Sequence, residues 1–224
     1  MRAFRECTAP QGTPEWLADR AGKVTASRAA DLLATIRSGE AAARRNYRVQ
    51  LVAEILTQQP AEDGFVSAAM QRGKDLEPQA RTAYELLTGQ LVREVGFIAR
   101  TDIPIGCSPD GVIGDFEGLL ELNVPLPATH LGFLKAGVAP ADYVPQITHQ
   151  LLVTDAAYVD FLSYAPAFPE HLQTFLIRVR REDVDLTAYD RALRAFLREV
   201  EQEVESLRTM ANPAAQFKAA LQVA

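Results

Sequence analysis

Hydrophobic positions recur with a helical period in the first ninety residues of the chain. One helix is predicted to begin after Thr25 or Ser27, either of which can cap its N-terminus, and a second to begin near Gly39. A third helix is predicted over about residues 67–87, with Pro78 inside it as a kink or a restart. The N-terminal part of the chain is therefore predicted to be mainly helical.

From residue 91 the pattern changes to short segments rich in β-branched and aromatic residues, which predict strands. The predicted strands are residues 91–98, 112–113, 119–124, 158–164 and 174–179. Helices are predicted at about residues 142–153 and 186–210. Together these elements predict an α/β fold in which helices, including those of the N-terminal part, flank a mixed central β-sheet.

The chain has 224 residues, of which 48% are hydrophobic, so it is long enough to bury a sizeable core. It contains no repeat, low-complexity tract or Gly/Ser linker. We therefore expect a single domain over residues 1–210, followed by a loosely attached C-terminal tail, residues 211–224.

The number of cysteines and the length of the apolar stretches indicate the cellular compartment of the protein. Cys7 and Cys107 are too few for a disulfide framework and lack the spacing of metal ligands, which fits a reducing cytoplasm. No apolar stretch approaches the roughly 20 residues that span a bilayer, and no export signal opens the chain. We expect a cytoplasmic protein without a membrane partner.

The net charge of −6 argues against a protein that coats nucleic acid through bulk positive charge. However, residues 1–100 carry a net charge of +2, whereas residues 101–224 carry −8. The basic residues of the first part could form a local positive surface for DNA. Solvated helix faces explain the same charges equally well.

The most informative stretch is a predicted hairpin that carries two carboxylates. If a turn is centred between Asp115 and Phe116, Asp110 and Glu121 lie opposite each other on antiparallel strands. Directly opposed side chains have Cβ atoms about 4.5–5.5 Å apart, at which distance two carboxylates repel. A hard cation such as Mg²⁺, or Mn²⁺, would relieve this repulsion and could activate water. Asn123 lies on the same strand face as Glu121, and the Leu122 carbonyl is another possible ligand.

Spacing alone favours a simpler interpretation, in which Asp110 belongs to a Pro-Asp-Gly turn and Glu121 lies on an exposed sheet edge. The neighbours of Glu121 argue against it. Leu119, Leu120 and Leu122 predict a buried strand, and a buried carboxylate without a partner is costly.

Four segments, taken in order, resemble the lambda exonuclease and YqaJ-type viral recombinase family, which belongs to the restriction-endonuclease-like nucleases. They cover about residues 12–160 and are Gly22–Arg28, Arg72–Arg81, Ser108–Gly111 with Gly118–Leu122, and Tyr143–Ile147. Each segment is a weak signal by itself, whereas four in the family's order are specific. The resemblance implies a restriction-endonuclease-like nuclease core.

The resemblance also implies roles for individual residues. Asp110 and Glu121 would bind metal, and Glu77 would supply a further acidic ligand, although Glu77 could equally form a surface ion pair with Arg81. Gln146 would orient groups near the metal or the DNA backbone, although an exposed helix glutamine is nearly as common an interpretation.

Two further residues would meet the DNA end. The resemblance implies that Arg28 contacts a 5′ phosphate with help from Ser38, since a guanidinium can hold phosphate in a two-pronged contact. Otherwise Arg28 is a helix-surface charge.

The reaction implied by the resemblance is Mg²⁺-dependent digestion of linear double-stranded DNA from its 5′ ends to mononucleotides, leaving 3′ single-stranded tails for recombination. Members of the family form ring-shaped homotrimers and work with a single-strand annealing protein. These partners and this polarity are expectations from the resemblance.

One position departs from the family pattern. Asn123 stands where the family has the lysine of its Glu-x-Lys motif, and a neutral amide lacks the ammonium charge that stabilises a transition state. The chain is therefore expected to be a natural low-activity form or a deliberately altered one, in which Asn123→Lys would raise activity strongly. The alternative is a catalytically silent DNA-end-binding or interaction protein with a nuclease fold.

Overall fold

The computed structural model of the chain describes residues 2–61 and 68–210. The helices are α1 (Pro14–Arg20), α2 (Ala29–Leu33), α3 (Ala42–Thr57), α4 (Ala68–Thr88), α5 (Pro127–Ala136), α6 (Val144–Thr154) and α7 (Leu186–Arg208). The strands are β1 (Phe4–Glu6), β2 (Val24–Thr25), β3 (Val92–Arg93), β4 (Ile98–Arg100), β5 (Ile105–Cys107), β6 (Gly111–Ile113), β7 (Gly118–Asn123), β8 (Tyr158–Tyr164) and β9 (Thr174–Arg180). The fold is the mixed α/β arrangement that the sequence predicts.

The strands form two sheets. The larger sheet has the order β3-β6-β7-β8-β9, in which β7 and β8 are parallel and the other neighbours are antiparallel. The smaller sheet has the order β1-β4-β5-β2. Parallel neighbours require a crossover connection, and α5 and α6 provide it between β7 and β8. This crossover brings α6 over the larger sheet.

The β6–β7 hairpin has the predicted register. Gly111 pairs with Leu120, and Ile113 pairs with Gly118. The next residue before the paired segment, Asp110, donates its backbone N–H to the Leu120 carbonyl at 3.0 Å. Asp110 therefore lies beside the Glu121 segment of β7, as the predicted turn requires.

The two faces of the larger sheet pack against different helices. Leu120 belongs to a buried cluster with Tyr84 of α4, whereas Leu119 belongs to the main core with Ile147 of α6. Since alternate residues of a strand point to opposite faces, Glu121 shares the face of Leu119. The Glu121 side chain therefore points toward α6.

Helix α7 closes the main core on its other side. Its buried positions recur every three or four residues, as expected for an amphipathic helix. They are Tyr189, Leu193, Phe196, Val200 and Val204. Tyr47 of α3 stacks on Phe196, with ring centroids 5.6 Å apart, so α3 and α7 pack together.

The prediction of one strand over residues 91–98 is wrong. This segment forms β3 in the larger sheet and then β4 in the smaller one. The chain passes between the sheets at Gly96, where an added Cβ would lie 2.5 Å from the Cys7 carbonyl oxygen and 2.6 Å from that of Ala9. Only glycine leaves room for this close approach of the N-terminal loop.

Two predictions about the helices also need correction. Neither Thr25 nor Ser27 caps α2 with its side chain, because a 3-10 turn over Ala26–Arg28 leads directly into that helix. Helix α4 continues through Pro78, so the alternative of a restart is wrong, whereas the alternative of a kink stays a prediction. The helices α1 and α5 and the short strands β1, β2 and β5 were not predicted.

The predicted C-terminal tail, residues 211–224, lies outside the described residues. Across the part of the chain that is described, every helix is too short or too polar to cross a membrane.

Candidate functional site

The backbone of β7 holds Asp110 in place. Its side-chain Oδ2 accepts a hydrogen bond of 2.6 Å from the Leu122 N–H, in addition to the bond between the Asp110 N–H and Leu120. This leaves the other carboxylate oxygen, Oδ1, for a further partner. The strand pairing therefore fixes one carboxylate next to the other, because Glu121 lies between the two β7 residues that Asp110 contacts.

Two amides from α6 hold the Glu121 carboxylate. Glu121 is only 7% exposed. The Gln146 Nε2 donates to its Oε1, and the Gln150 Nε2 donates to its Oε2 at 2.6 Å. The sequence interpretation placed Gln146 near the metal but missed Gln150, which the structure buries completely. The signal was present, since residues four apart share one face of a helix.

Burial and mutual repulsion dominate the electrostatics of this pair. Burial and the charge of Glu121 raise the pKa of the Asp110 carboxyl well above its ordinary value, against the effect of the Leu122 N–H. Burial raises the pKa of Glu121 to about 7, although the Gln150 and Gln146 amides act to lower it. Neither carboxylate forms an ion pair with any lysine or arginine among residues 2–61 and 68–210. The protein therefore supplies neutral donors here and no direct cationic partner.

Glu77 reaches the same region from α4. Burial raises the pKa of its carboxyl, while the charges of Arg81 and Lys74 oppose that shift. Its Oε1 accepts a hydrogen bond of 2.8 Å from the Arg81 Nη2, so the surface ion pair considered from the sequence is present. The charge of Glu77 acts on both Asp110 and Glu121. The structure therefore brings the three carboxylates into one electrostatic neighbourhood.

Two cavities adjoin these carboxylates. One, of about 700 Å³, is lined by Asp110 and Glu77 together with the N-terminal loop. The other, of about 750 Å³, is lined by Glu77, Leu122, Asn123 and Gln146. Asn123 thus lies where the strand alternation predicts, and its buried Nδ2 has no hydrogen-bond partner within the described chain.

The donor set fits a hard divalent cation. Asp110 and Glu121 offer carboxylate oxygens whose desolvated charges repel each other, and Mg²⁺ is commonly held by one or two carboxylates with water and phosphate completing its shell. Among the residues that the structure describes, no group of three His, Cys, Asp or Glu side chains is arranged to hold a metal ion. Glu77 therefore does not complete such a group in this arrangement.

Arg28 lies in a separate, basic cavity of about 390 Å³, which Arg20 and Lys23 also line. Its guanidinium pairs with Asp31, donates to the Gln50 Oε1 at 3.0 Å and lies 4.5 Å from the Tyr47 ring centroid. Burial, with the charge of Arg5, lowers the pKa of Lys23. The cavity is lined by three basic side chains and by the carboxylate of Glu54.

Ser38 is not brought to Arg28. It is exposed in the loop between α2 and α3 and does not line the Arg28 cavity. Its neighbours Gly39 and Glu40 line a different surface pocket. The expected contribution of Ser38 to the same phosphate contact stays a prediction.

Two further residues hold the elements around the carboxylates in position. Trp16 of α1 donates its Nε1–H to the Ser108 Oγ at 2.9 Å, which ties α1 to the segment preceding Asp110. His149 is fully buried between the Tyr189 hydroxyl, 2.7 Å away, and the Gly106 carbonyl oxygen, 3.1 Å away. Burial lowers the pKa of His149 to about 4, so the ring is neutral and anchors α6 behind its glutamines.

Comparisons with known proteins identify the family and the fold. Residues 15–157 match the model of the YqaJ-like viral recombinase domain. The chain is 38% identical to an alkaline exonuclease from Laribacter hongkongensis, whose crystal structure superposes with a TM-score of 0.78 over 95% of this chain and 100% of that one. The structure of the same exonuclease in complex with dAMP gives a TM-score of 0.79 with the same identity and coverage.

A more distant structure shares the fold. A phage-related exonuclease from Haemophilus somnus 129PT is 13% identical and superposes with a TM-score of 0.62, covering 83% of this chain and 96% of that one. A search of curated protein sequences finds no match.

Proposed function

We propose, because this chain belongs to the YqaJ-like viral recombinase domain family, that it is a metal-dependent exonuclease that digests linear double-stranded DNA from its 5′ ends. Its relative from Laribacter hongkongensis, 38% identical over nearly the whole chain, is an alkaline exonuclease. That relative was also solved with dAMP, a nucleoside monophosphate, which supports mononucleotides as the product.

The observation that carries the proposal is the pair of opposed, buried carboxylates. Burial raises the pKa values of both Asp110 and Glu121, the charge of Glu121 raises that of Asp110 further, and uncharged amides are the side-chain donors to Glu121. Such a pair is costly unless a cation joins it. We propose that Asp110, Glu121 and the Leu122 carbonyl hold Mg²⁺ or Mn²⁺, and that Glu77 approaches as a further acidic ligand.

The bound cation would activate water and neutralise charge on the phosphodiester. The chain's own groups would prepare that chemistry. Gln146 and Gln150 fix both oxygens of Glu121, so its carboxylate keeps one orientation. The two adjoining cavities give a DNA strand access from either side of Glu77.

The proposed polarity is supported by the basic cavity around Arg28. Arg20, Lys23 and Arg28 line a recess that suits a terminal phosphate, and the ring of Tyr47 and the amide of Gln50 hold the Arg28 guanidinium in place. A phosphate would compete there with Asp31. Engagement of a 5′ phosphate by Arg28, with Ser38 joining from its loop, would start digestion at that end and leave 3′ tails.

Asn123 favours a lower rate than a lysine would give at this position. Its neutral amide adds no charge beside the scissile phosphate, so loss of transition-state stabilisation is expected. The same residue supports the second candidate function, a silent protein that binds DNA ends.

The proposal also covers the oligomeric state of this chain and its protein partner. The family resemblance supports a homotrimeric ring around DNA and cooperation with a single-strand annealing protein. Sedimentation equilibrium should give three times the 24.6 kDa chain mass. If the protein is a monomer at all concentrations, enclosure of DNA by a ring cannot be the source of processive digestion.

The activity is tested with linear duplex DNA labelled at either the 5′ or the 3′ end. With Mg²⁺, the 5′ label should be released first as a mononucleotide, and chelation should stop release. Release of the 3′ label first would contradict the polarity. Binding to DNA ends without release by either this chain or Asn123→Lys would favour the silent alternative.

The role of Arg28 has its own test. Affinity for 5′-phosphorylated duplex should exceed that for 5′-hydroxyl duplex, and Arg28→Ala should remove most of the difference. Arg45→Ala is a matched control, because Arg45 is an exposed arginine of α3 that lies outside the Arg28 cavity. Equal affinity of the unmutated protein for both ends would exclude this site.

A further inference from the structure

Lys74 occupies a position that the proposed function has not used. It lies on α4, one turn before Glu77, and both cavities beside the carboxylates include it in their walls. One of these cavities reaches Asp110, and the other reaches Asn123 and Gln146. Lys74 therefore stands at the junction of the two openings to the carboxylates.

Among the described basic residues of α4, Lys74 differs from Arg72 and Arg81 in its contacts. The Arg72 Nη2 donates to the Pro125 carbonyl oxygen at 2.7 Å, and Arg81 pairs with Glu77 and Glu94. By contrast, Lys74 is exposed and has neither a hydrogen bond nor an ion pair with any described residue. The charge of Lys74 does act on the Glu77 carboxyl. It lowers the pKa of that group, although burial and Arg81 have larger effects. An ammonium group is thus available at the cavity wall.

Position 123 itself offers no charge to the cavity that it shares with Lys74. Asn123 contributes a neutral amide, and its buried Nδ2 has no partner within the described residues. Lysine has a four-carbon stem with a compact charge at its end, so it can serve one reaction centre from different starting points on the backbone. Lys74 and Asn123 line the same cavity of about 750 Å³, which allows the ammonium to enter from the helix side.

We infer that Lys74 supplies the scissile phosphate with the positive charge that Asn123 does not provide. The inference rests on the proposed nuclease function. It makes Lys74 a catalytic residue that contacts the phosphate, and it predicts that the chain with Asn123 retains measurable activity.

The experiment is a two-by-two set of variants at positions 74 and 123. Lys74→Met removes the charge and keeps most of the apolar stem, whereas Lys74→Arg keeps the charge. Lys135→Met is the matched control, because Lys135 is an exposed helix lysine outside both cavities. Single-turnover digestion of duplex with Mg²⁺ gives the rate, and binding to DNA ends in Ca²⁺ gives the affinity.

Lys74→Met should lower the single-turnover rate about 10²-fold in the chain with Asn123, which is the usual loss for one preorganised electrostatic group. Lys74→Arg should restore most of the rate, and Lys135→Met should leave it unchanged. In the Asn123→Lys background the same Lys74→Met change should cost less than about threefold, because a second ammonium now serves the phosphate. Asn123→Lys should raise the rate whether or not Lys74 is present, and the increase should be larger in the Lys74→Met background.

An unchanged rate for Lys74→Met would overturn the inference. Equal losses in both backgrounds, matched by losses in DNA affinity, would make Lys74 a DNA-binding residue and would also overturn it. If the unmutated chain does not cut while Asn123→Lys does, Lys74 does not supply the charge and the nuclease proposal survives. If no variant cuts while all bind DNA ends, the nuclease proposal itself fails.

Discussion

Two buried carboxylates on neighbouring strands, Asp160 of β8 and Glu121 of β7, are stabilised in different ways. Asp160 pairs in register with Leu120, directly beside Glu121, but the two side chains point to opposite faces of the sheet. Asp160 is 2% exposed, and Arg178 donates to both its oxygens at 2.8 Å. The Tyr84 hydroxyl adds a third hydrogen bond of 2.7 Å.

Glu121 has no such cationic partner among the residues that the structure describes. Its oxygens receive amide hydrogens from Gln146 and Gln150, and its nearest charged neighbours include the carboxylates of Asp110 and Glu77. Burial raises the pKa of Glu121 to about 7.

The difference is between a carboxylate that an arginine of this chain neutralises and one for which we propose an external cation. An arginine of this chain balances the charge of Asp160, so that site is complete without a ligand. In the proposed function, a bound cation balances the charges of Asp110 and Glu121. The following predictions test this contrast.

The largest effect is expected on activity. Glu121→Ala should lower digestion of linear duplex by about 10³-fold or more, because a metal ligand and its orienting contacts are lost together. The measurement is release of acid-soluble nucleotides with Mg²⁺. Glu117→Ala is the control, since Glu117 is an exposed carboxylate in the preceding turn. Normal digestion by Glu121→Ala would exclude this carboxylate from the reaction.

Asp160→Asn should act on stability instead. Removing the charge leaves Arg178 without its ion pair, which should cost roughly 2–4 kcal/mol of unfolding free energy. Chemical denaturation measures this loss, and the variant should still bind the metal. A stable Asp160→Asn protein that has lost metal binding would reverse the roles given to the two carboxylates.

The stability of the metal-free protein should depend on pH through Glu121. Its folded-state pKa of about 7 exceeds the ordinary value of 4.5, so the folded protein holds more protons between these values. Stability should therefore fall as pH rises from about 4.5 to 7. Glu121→Gln should remove much of this fall, which can reach about 3 kcal/mol. Chemical denaturation in the presence of a chelator at pH 5 and pH 7.5 measures this fall in stability. Identical pH dependence of the unmutated protein and Glu121→Gln would contradict the prediction.

The smallest effect is expected from the residue that supports Glu121. Gln150→Leu keeps the side-chain volume but removes the hydrogen bond to the Glu121 Oε2, so metal affinity should fall roughly 10–100-fold. Thr148→Val on the same helix is the control, because the Thr148 hydroxyl donates to the Val144 carbonyl within the helix. Unchanged affinity in Gln150→Leu would make Gln150 a packing residue.

The sequence predicts the central part of the fold for two reasons. Strand β8 is long enough to show its pattern, and β6 and β7 are joined by a short turn. Residues 158–164 were predicted as a strand with the bounds that the structure gives to β8. The β6–β7 register also follows from the sequence, because the turn fixes which residues face each other. The short strands do not follow, since β1 pairs with β4 more than ninety residues away and neither is long enough to show a period.

The residues of the candidate site also fall into those that the sequence predicts and those that it does not. Asp110, Glu121 and Asn123 share one hairpin, so alternation along the strands predicts their placement. Gln150 could be found only through Gln146, four residues earlier on the same helix face. Lys74 comes from a helix whose approach depends on tertiary packing, and local patterns carry little information about it. The loop position of Ser38 is unpredictable for the same reason.

The central claim is that Asp110 and Glu121 form the cation site, and calorimetric titration of the protein with Mn²⁺ or Mg²⁺ tests it most directly. The unmutated chain and Asp160→Asn should bind with the same stoichiometry, and Asp110→Ala should show no binding at that site. Unchanged stoichiometry and affinity in Asp110→Ala would contradict the claim.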